Sequence, residues 1–236
     1  MLMTNYETVS SKGALGQKIG CITLTKQFYE KNNITNRGNK TLPISFTEFQ
    51  GLPVQYMNQV HGTSVEEIKE FSDEPISNTD ALFTKSNKVS LAIMSADCLP
   101  IALANAEGTE IALLHAGWRG LSAGIIQKSL RKFNLENNDL RAWLAPCISQ
   151  DKYEVGKDVY KTFMDLDKES EKNFKQVNSE KWMFDLKAEA ARVLKSLKVQ
   201  VSQSNFCTYT DEDLFYSYRR NKTDERVLTL LWRKNV

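Results

Sequence analysis

The chain has 236 residues, enough for one large domain or two small ones, and its 41% hydrophobic content supplies a full core. Lys plus Arg, 31, nearly balances Asp plus Glu, 29, and no basic block stands out, which argues against nucleic acid or an anionic membrane as a partner. Cys21, Cys98, Cys147 and Cys207 are scattered without a CxxC pair, and a chain of this length needs no disulfide framework, so they read as reduced thiols of a cytoplasmic protein.

The N-terminal stretch from Met1 to Glu7 lacks a basic start and an apolar run, and no segment approaches transmembrane length. Ile19 to Thr25 reads as a strand and Asn32 to Asn39 as a polar loop. Gly13, Gly16 and Gly20 neither follow a strand nor open a helix, so they read as turn residues and not as a phosphate loop. In the middle, Val89 to Met94 is a buried strand followed by the turn Ser95-Ala96-Asp97-Cys98. Pro100 to Ala104 is a second strand, and Glu110 to Leu114 a third that delivers His115 at its end. Beyond Gly120, Leu121, Ile125, Leu130 and Phe133 are spaced for one apolar helix face. Leu140 to Leu144 is a further strand, ending before Pro146.

Val155, Val159 and Phe163 step by four and predict a helix near 151–165. Asp185 looks like the N-cap of another, in which Ala190, Val193, Leu194 and Leu197 share a face. Val199 to Ser202 and Val227 to Trp232 are short closing strands. Helices and strands mix without a βαβ rhythm, which predicts an α/β (α+β) chain, an α/β/α sandwich in a single domain spanning 1–236.

Only two histidines occur, His61 and His115, with Cys98 between them. Two imidazoles and a thiolate make a three-donor set that suits zinc and also copper, and three protein ligands leave a coordination position open. Each candidate sits at a strand end beside Gly or Pro, where side chains converge. Two other readings stay open: a Cys98–His115 nucleophile pair, and inert core residues. Asp97 directly precedes Cys98 and points the other way in extended geometry, so it is expected to brace the turn. Asp80 suits a general acid and a capping residue equally. Arg119, four residues past His115, could face the same cavity and bind an anion. The cluster from Phe215 to Arg220 could stack a planar ring and hold phosphate, or form a packing layer.

The segments Gln59-Val60-His61-Gly62, Thr79-Asp80-Ala81-Leu82, Ala96-Asp97-Cys98-Leu99-Pro100-Ile101 and His115-Ala116-Gly117-Trp118-Arg119-Gly120 closely resemble the laccase-domain family, also named multicopper polyphenol oxidase. Its members also look like metal-dependent purine nucleoside phosphorylases. The resemblance continues through Leu144-Ala145-Pro146, Tyr153-Glu154-Val155-Gly156, Cys207-Thr208-Tyr209 and the Phe215 to Arg220 segment, and covers roughly 55–236. It implies a sandwich similar to the catalytic domain of cytotoxic necrotizing factor toxins, and metal ligands at His61, Cys98 and His115. Residues 1–55 are atypical: in a loose alignment Lys12 stands where the family has arginine and Thr23 where it has asparagine, near the active site.

The resemblance implies phosphorolysis of adenosine, inosine and methylthioadenosine, with adenosine deamination as a side activity. Purine nucleosides and phosphate would be the partners. Arg119 or Lys12 could hold phosphate, and Asp80 could stabilise charge or protonate the leaving purine. Alternatives are copper-dependent polyphenol oxidation and editing of peptidoglycan precursors. A trinuclear oxygen-reducing copper cluster would need more imidazoles than the chain has.

Overall fold

In a computed structural model the described residues are 7–32, 34, 51–134 and 139–234. The expected polar loop falls at Asn33 and 35–39, outside them, apart from Asn32 and Ile34. The chain begins with β1 (Thr8–Ser10), β2 (Ile19–Leu24) and α1 (Lys26–Lys31). It continues through β3 (Val54–Gln55), β4 (Val65–Glu67), β5 (Ala81–Thr84), β6 (Ser90–Ser95), β7 (Leu99–Asn105) and β8 (Ile111–Ala116). Next come α2 (Trp118–Ser122), α3 (Ile125–Leu130), β9 (Leu140–Leu144), β10 (Glu154–Gly156) and α4 (Lys157–Leu166). The last part holds β11 (Phe174–Asn178), β12 (Lys181–Phe184), α5 (Leu186–Ser196), β13 (Gln200–Gln203), α6 (Tyr218–Asn221) and β14 (Val227–Arg233).

The strands make three sheets, ordered β1-β2-β14-β6-β3, β13-β9-β7-β8-β5-β4, and β10-β12-β11. The two larger sheets face each other. Cys21, Leu91, Ile93 and Leu231 from one meet Leu82, Ala102, Leu113 and Trp143 from the other. The outer face of the five-stranded sheet is covered by Phe28 and Tyr29 of α1. The outer face of the six-stranded sheet packs on α3, α4 and α5 through Ile126, Phe163 and Leu194. The mixed α+β expectation holds, with two sheets rather than one in the middle of the sandwich. This layering explains the apolar runs: β6, β7 and β8 are buried at every residue, because both faces of their sheets are covered. All four cysteines are free thiols. Among the described residues no helix is long and apolar enough to cross a membrane.

Four local expectations change. The apolar face after Gly120 is shared by two short helices, because Gly124 takes a left-handed φ of 85° between them. Val155 does not begin a helix. It pairs with Trp182 in the small sheet, and α4 starts only at Lys157. Leu197 is exposed, because α5 ends before it, although Asp185 caps the helix as expected by accepting from the Ala188 N–H at 2.8 Å. Gly13 and Gly16 do lie in turns, whereas Gly20 lies inside β2.

The small sheet and α4 are joined by aromatic rings. Phe184 is fully buried, stacked on Phe174 at 4.2 Å between centroids and touching Phe163 at 4.8 Å. It immediately precedes Asp185 and so fixes where α5 begins. Phe184→Ala should therefore cost about 3–5 kcal/mol of folding stability, as a cavity is left that neighbouring rings cannot fill. Urea unfolding followed by tryptophan fluorescence measures this.

Candidate metal centre

β7 and β8 run antiparallel with Leu99 opposite Ala116, and β8 pairs with β5 so that Ala81 lies opposite Leu114. One edge of the six-stranded sheet therefore presents the residue before β7, the end of β8 and the residue before β5. Those positions are Cys98, His115 and Asp80. The loop carrying His61 closes over the same edge. Gln59 anchors this loop: its amide donates to the Met94 carbonyl at 2.9 Å and accepts from the Met94 N–H at 3.0 Å. The side chain thus behaves like a short added strand at the end of β6.

The donor atoms of His61, Cys98 and His115 all lie within 4.8 Å of one another. Cys98 Sγ is 3.7 Å from His61 Nε2, and the two imidazole rings meet edge to face at 4.8 Å. The cradle is tight. A Cβ on Gly117 would come within 3.1 Å of both Cys98 Sγ and the His61 ring, so a side chain there would crowd the donors by a few tenths of an ångström. Burial increases from exposed His61 through half-buried Cys98 to buried His115, which leaves one side open to a ligand. The set fits a metal with an available position, and zinc and copper both accept it. A nucleophilic Cys–His pair would use one imidazole, but here two converge on the same sulfur.

Asp80 organises the centre from behind. It is fully buried, and its Oδ1 accepts from His115 Nδ1 at 2.8 Å, which leaves His115 Nε2 for a metal. The same carboxylate accepts backbone N–H groups from Val60 at 3.1 Å, His61 at 2.9 Å and Gly62 at 2.7 Å. His61 holds a left-handed φ of 60°, a conformation that a non-glycine residue adopts only when its surroundings enforce it. Burial alone would raise the Asp80 pKa, but the hydrogen bonds from His115 and Gly62 outweigh it and hold it below the usual carboxylate range. At Cys98, burial pushes the thiol up, and the charge and hydrogen bond of His115, then those of His61, bring it below the usual thiol range. At His115, burial lowers the imidazole and the neighbouring Cys98 and Asp80 raise it. Both shifts run toward a thiolate at Cys98, the ligating form of the sulfur, and a metal would take it together with neutral His115 through Nε2.

Asp97 has a different task. With φ at 87° it turns its carboxylate away from Cys98. It accepts from the Thr208 hydroxyl at 2.7 Å, the Ser217 hydroxyl at 3.0 Å and the Arg219 N–H at 2.7 Å. The bracing role read from sequence is what the structure places there, and it ties the C-terminal Ser217-Tyr218-Arg219 segment to the Cys98 turn.

The donors open into a cavity of about 410 Å³. Its walls include Trp118, Arg119, Tyr153, Tyr218, Arg219 and Arg226. Arg119 thus faces the cavity, at its rim, with its guanidinium 4.4 Å over the Trp118 ring. Lys12 is exposed in the turn before β2 and does not line the cavity. The Phe215 to Arg220 cluster divides: Tyr218 and Arg219 reach the cavity, while Arg220 donates to the carbonyls of Thr208, Tyr209 and Phe215 and serves packing. Sequence reading missed Arg226 and the anchoring role of Gln59. Arg226 precedes an apolar closing strand and carries no local signal, and Gln59 was visible only as part of a motif.

The carboxylate behind His115 gives a direct test. Asp80→Asn removes the charge while keeping one acceptor oxygen, and it should lower metal affinity about 10–100-fold. Competition with a chromophoric chelator measures the change, and circular dichroism checks that the fold persists.

The comparisons agree with this geometry. Residues 33–234 match the family described as multi-copper polyphenol oxidoreductase laccase. The purine nucleoside phosphorylase YfiH of Escherichia coli K12 is 35% identical over 180 residues, covering 75% of this chain and 72% of that protein. The Aquifex aeolicus purine nucleoside phosphorylase is 35% identical over 195 residues, covering 81% of this chain and 88% of that one. A crystal structure of a Neisseria meningitidis protein superposes with a TM-score of 0.85 at 29% identity, over 97% of this chain and all 100% of that one. YlmD from Geobacillus stearothermophilus has the same fold, with a TM-score of 0.85 at 20% identity, over 99% of this chain and 98% of that one. With the matched span, the shared fold and the convergent donors taken together, this chain belongs to the multi-copper polyphenol oxidoreductase laccase family, in which relatives carry the name purine nucleoside phosphorylase.

Proposed function

We propose that the chain is a purine nucleoside phosphorylase acting on adenosine, inosine and methylthioadenosine at its His61–Cys98–His115 centre, with adenosine deamination as a side activity. The observation that carries the reading is a three-donor centre opening into a cavity walled by aromatic rings and guanidinium groups. Aromatic walls suit a planar base, and cations suit phosphate. In phosphorolysis a phosphate oxygen forms a bond to the sugar C1′ as the bond from C1′ to the purine nitrogen breaks. The hydrogenphosphate proton ends on the released base, and ribose 1-phosphate is the second product. A bound zinc or copper ion supplies Lewis acidity and a water of lowered pKa, the requirement for deamination at C6.

In this reading Asp80 acts through His115. It does not line the cavity and both its oxygens are engaged by protein donors, so protonation of the base falls to another group. Phenol oxidation by a conventional multicopper mechanism is disfavoured by arithmetic, since the chain has two histidines. The family resemblance also supports the expected likeness to the cytotoxic necrotizing factor catalytic domain, with 1–236 acting as one unit. Free thiols support a cytoplasmic location.

Metal-loaded protein incubated with adenosine should release adenine and ribose 1-phosphate only when inorganic phosphate is present, with a smaller yield of inosine. Product chromatography reads both. His115→Ala should abolish adenine release while circular dichroism shows the fold retained, with a lowered melting temperature because Asp80 loses a donor. Release of adenine at the same rate without phosphate would overturn the phosphorylase reading.

A further inference from the structure

We propose that Arg219 is the phosphate-binding residue of the cavity, holding the dianion beside the His61–Cys98–His115 centre in place of Lys12 or Arg119. This rests on the phosphorylase reading above and assigns the anion site within it.

Three observations favour Arg219 over Arg119 and Lys12. It lines the same cavity as the metal donors. It is fixed before any ligand arrives: Nη1 donates to the Glu154 carbonyl at 2.7 Å, and the guanidinium sits 5.2 Å over the Tyr153 ring. Its backbone N–H is held at 2.7 Å by Asp97, the residue next to the Cys98 ligand, so its position is coupled to the metal-binding turn. A guanidinium held at one nitrogen and stacked on a ring keeps its remaining N–H groups in a fork suited to two oxygens of one phosphate, at little further cost in side-chain entropy.

The charge balance of the cavity points the same way. Asp97 is the lone carboxylate among the lining residues, and its two oxygens are taken by the Thr208 and Ser217 hydroxyls and the Arg219 N–H. Among the described residues the Arg219 side chain makes no ion pair with a carboxylate, unlike Arg192, whose guanidinium meets Asp167 and Glu189. A half-buried guanidinium on a cavity wall, without a carboxylate partner, favours binding of an anion there. Arg119 lines the same cavity but is exposed and lies against its own neighbour Trp118 at the rim. Lys12 is outside. With the dianion on Arg219, a sugar C1′ placed between phosphate and metal centre would gain positive charge next to a bound anion instead of facing bare guanidinium groups.

The test uses metal-loaded full-length protein and two substitutions. Arg219→Gln loses the charge and keeps a polar side chain, and Arg219→Lys keeps the charge without the fork. Calorimetric titration with inorganic phosphate should show binding weakened at least about tenfold in Arg219→Gln, with partial recovery in Arg219→Lys. In turnover, the KM for phosphate should rise by a similar factor while the KM for adenosine changes less than about twofold. A merely structural role would move both KM values together, and that outcome overturns the assignment. So does a larger effect of Arg119→Gln than of Arg219→Gln on phosphate binding. If wild-type protein cleaves adenosine with phosphate but Arg219→Gln binds phosphate normally, the anion site is wrong and the phosphorylase reading stands. If wild-type protein does not cleave adenosine, phosphate calorimetry still decides the role of Arg219. Should Arg219→Gln fail to fold, Arg219→Lys decides: an unchanged phosphate KM overturns the inference.

Discussion

The site depends on one buried carboxylate. Asp80 receives a hydrogen bond from His115 and three more from the backbone of the loop that carries His61. A carboxylate removed from water must be satisfied by protein donors, and here four donors from two chain segments share it. The His61 loop and the end of β8 are thereby positioned relative to each other through a single group. The tie matters most for His61, whose loop backbone holds a left-handed conformation, whereas His115 is also positioned by the β7–β8 pairing.

Asp97 repeats the same device on the other side of Cys98. It gathers Thr208, Ser217 and the Arg219 backbone, residues more than a hundred positions away in sequence. Two adjacent residues therefore divide the work: Cys98 provides a ligand atom to the cavity and Asp97 attaches the wall. Asp97 makes this turn with a left-handed φ of 87°, and its hydrogen bonds to Thr208, Ser217 and Arg219 keep the turn in place.

The layers and the metal donors were legible in the sequence for different reasons. Strands β6, β7 and β8 announce themselves as continuous apolar runs because both their faces are covered. The donors stand out because imidazole is so scarce in this chain. What was illegible depends on long-range pairing. Val155 has perfect helical spacing to Val159 and Phe163, but pairing with Trp182 pulls it into a strand. The face after Gly120 is continuous in pattern and interrupted in space by the backbone at Gly124. Arg226 enters the cavity wall from the start of β14, and no local pattern marks a cavity-facing guanidinium in advance.

At the two described N-terminal positions that depart from the family pattern, Lys12 and Thr23, the side chains lie away from the cavity. Lys12 lies in an exposed turn, and the Thr23 hydroxyl meets the Thr229 hydroxyl at 2.8 Å between neighbouring strands. Thr23 is spent on sheet pairing and not on the cavity. Among the described residues, every one that lines the cavity comes from position 59 or later. The wall that sequence reading assigned to the N-terminal segment is supplied from Tyr153, Tyr218, Arg219 and Arg226, and it is fastened to the metal turn through Asp97. Substitution at the N-terminus then changes what supports the five-stranded sheet more than what touches a ligand. The donor loop and the Arg219 segment of the cavity wall are held by the two aspartates, Asp80 and Asp97.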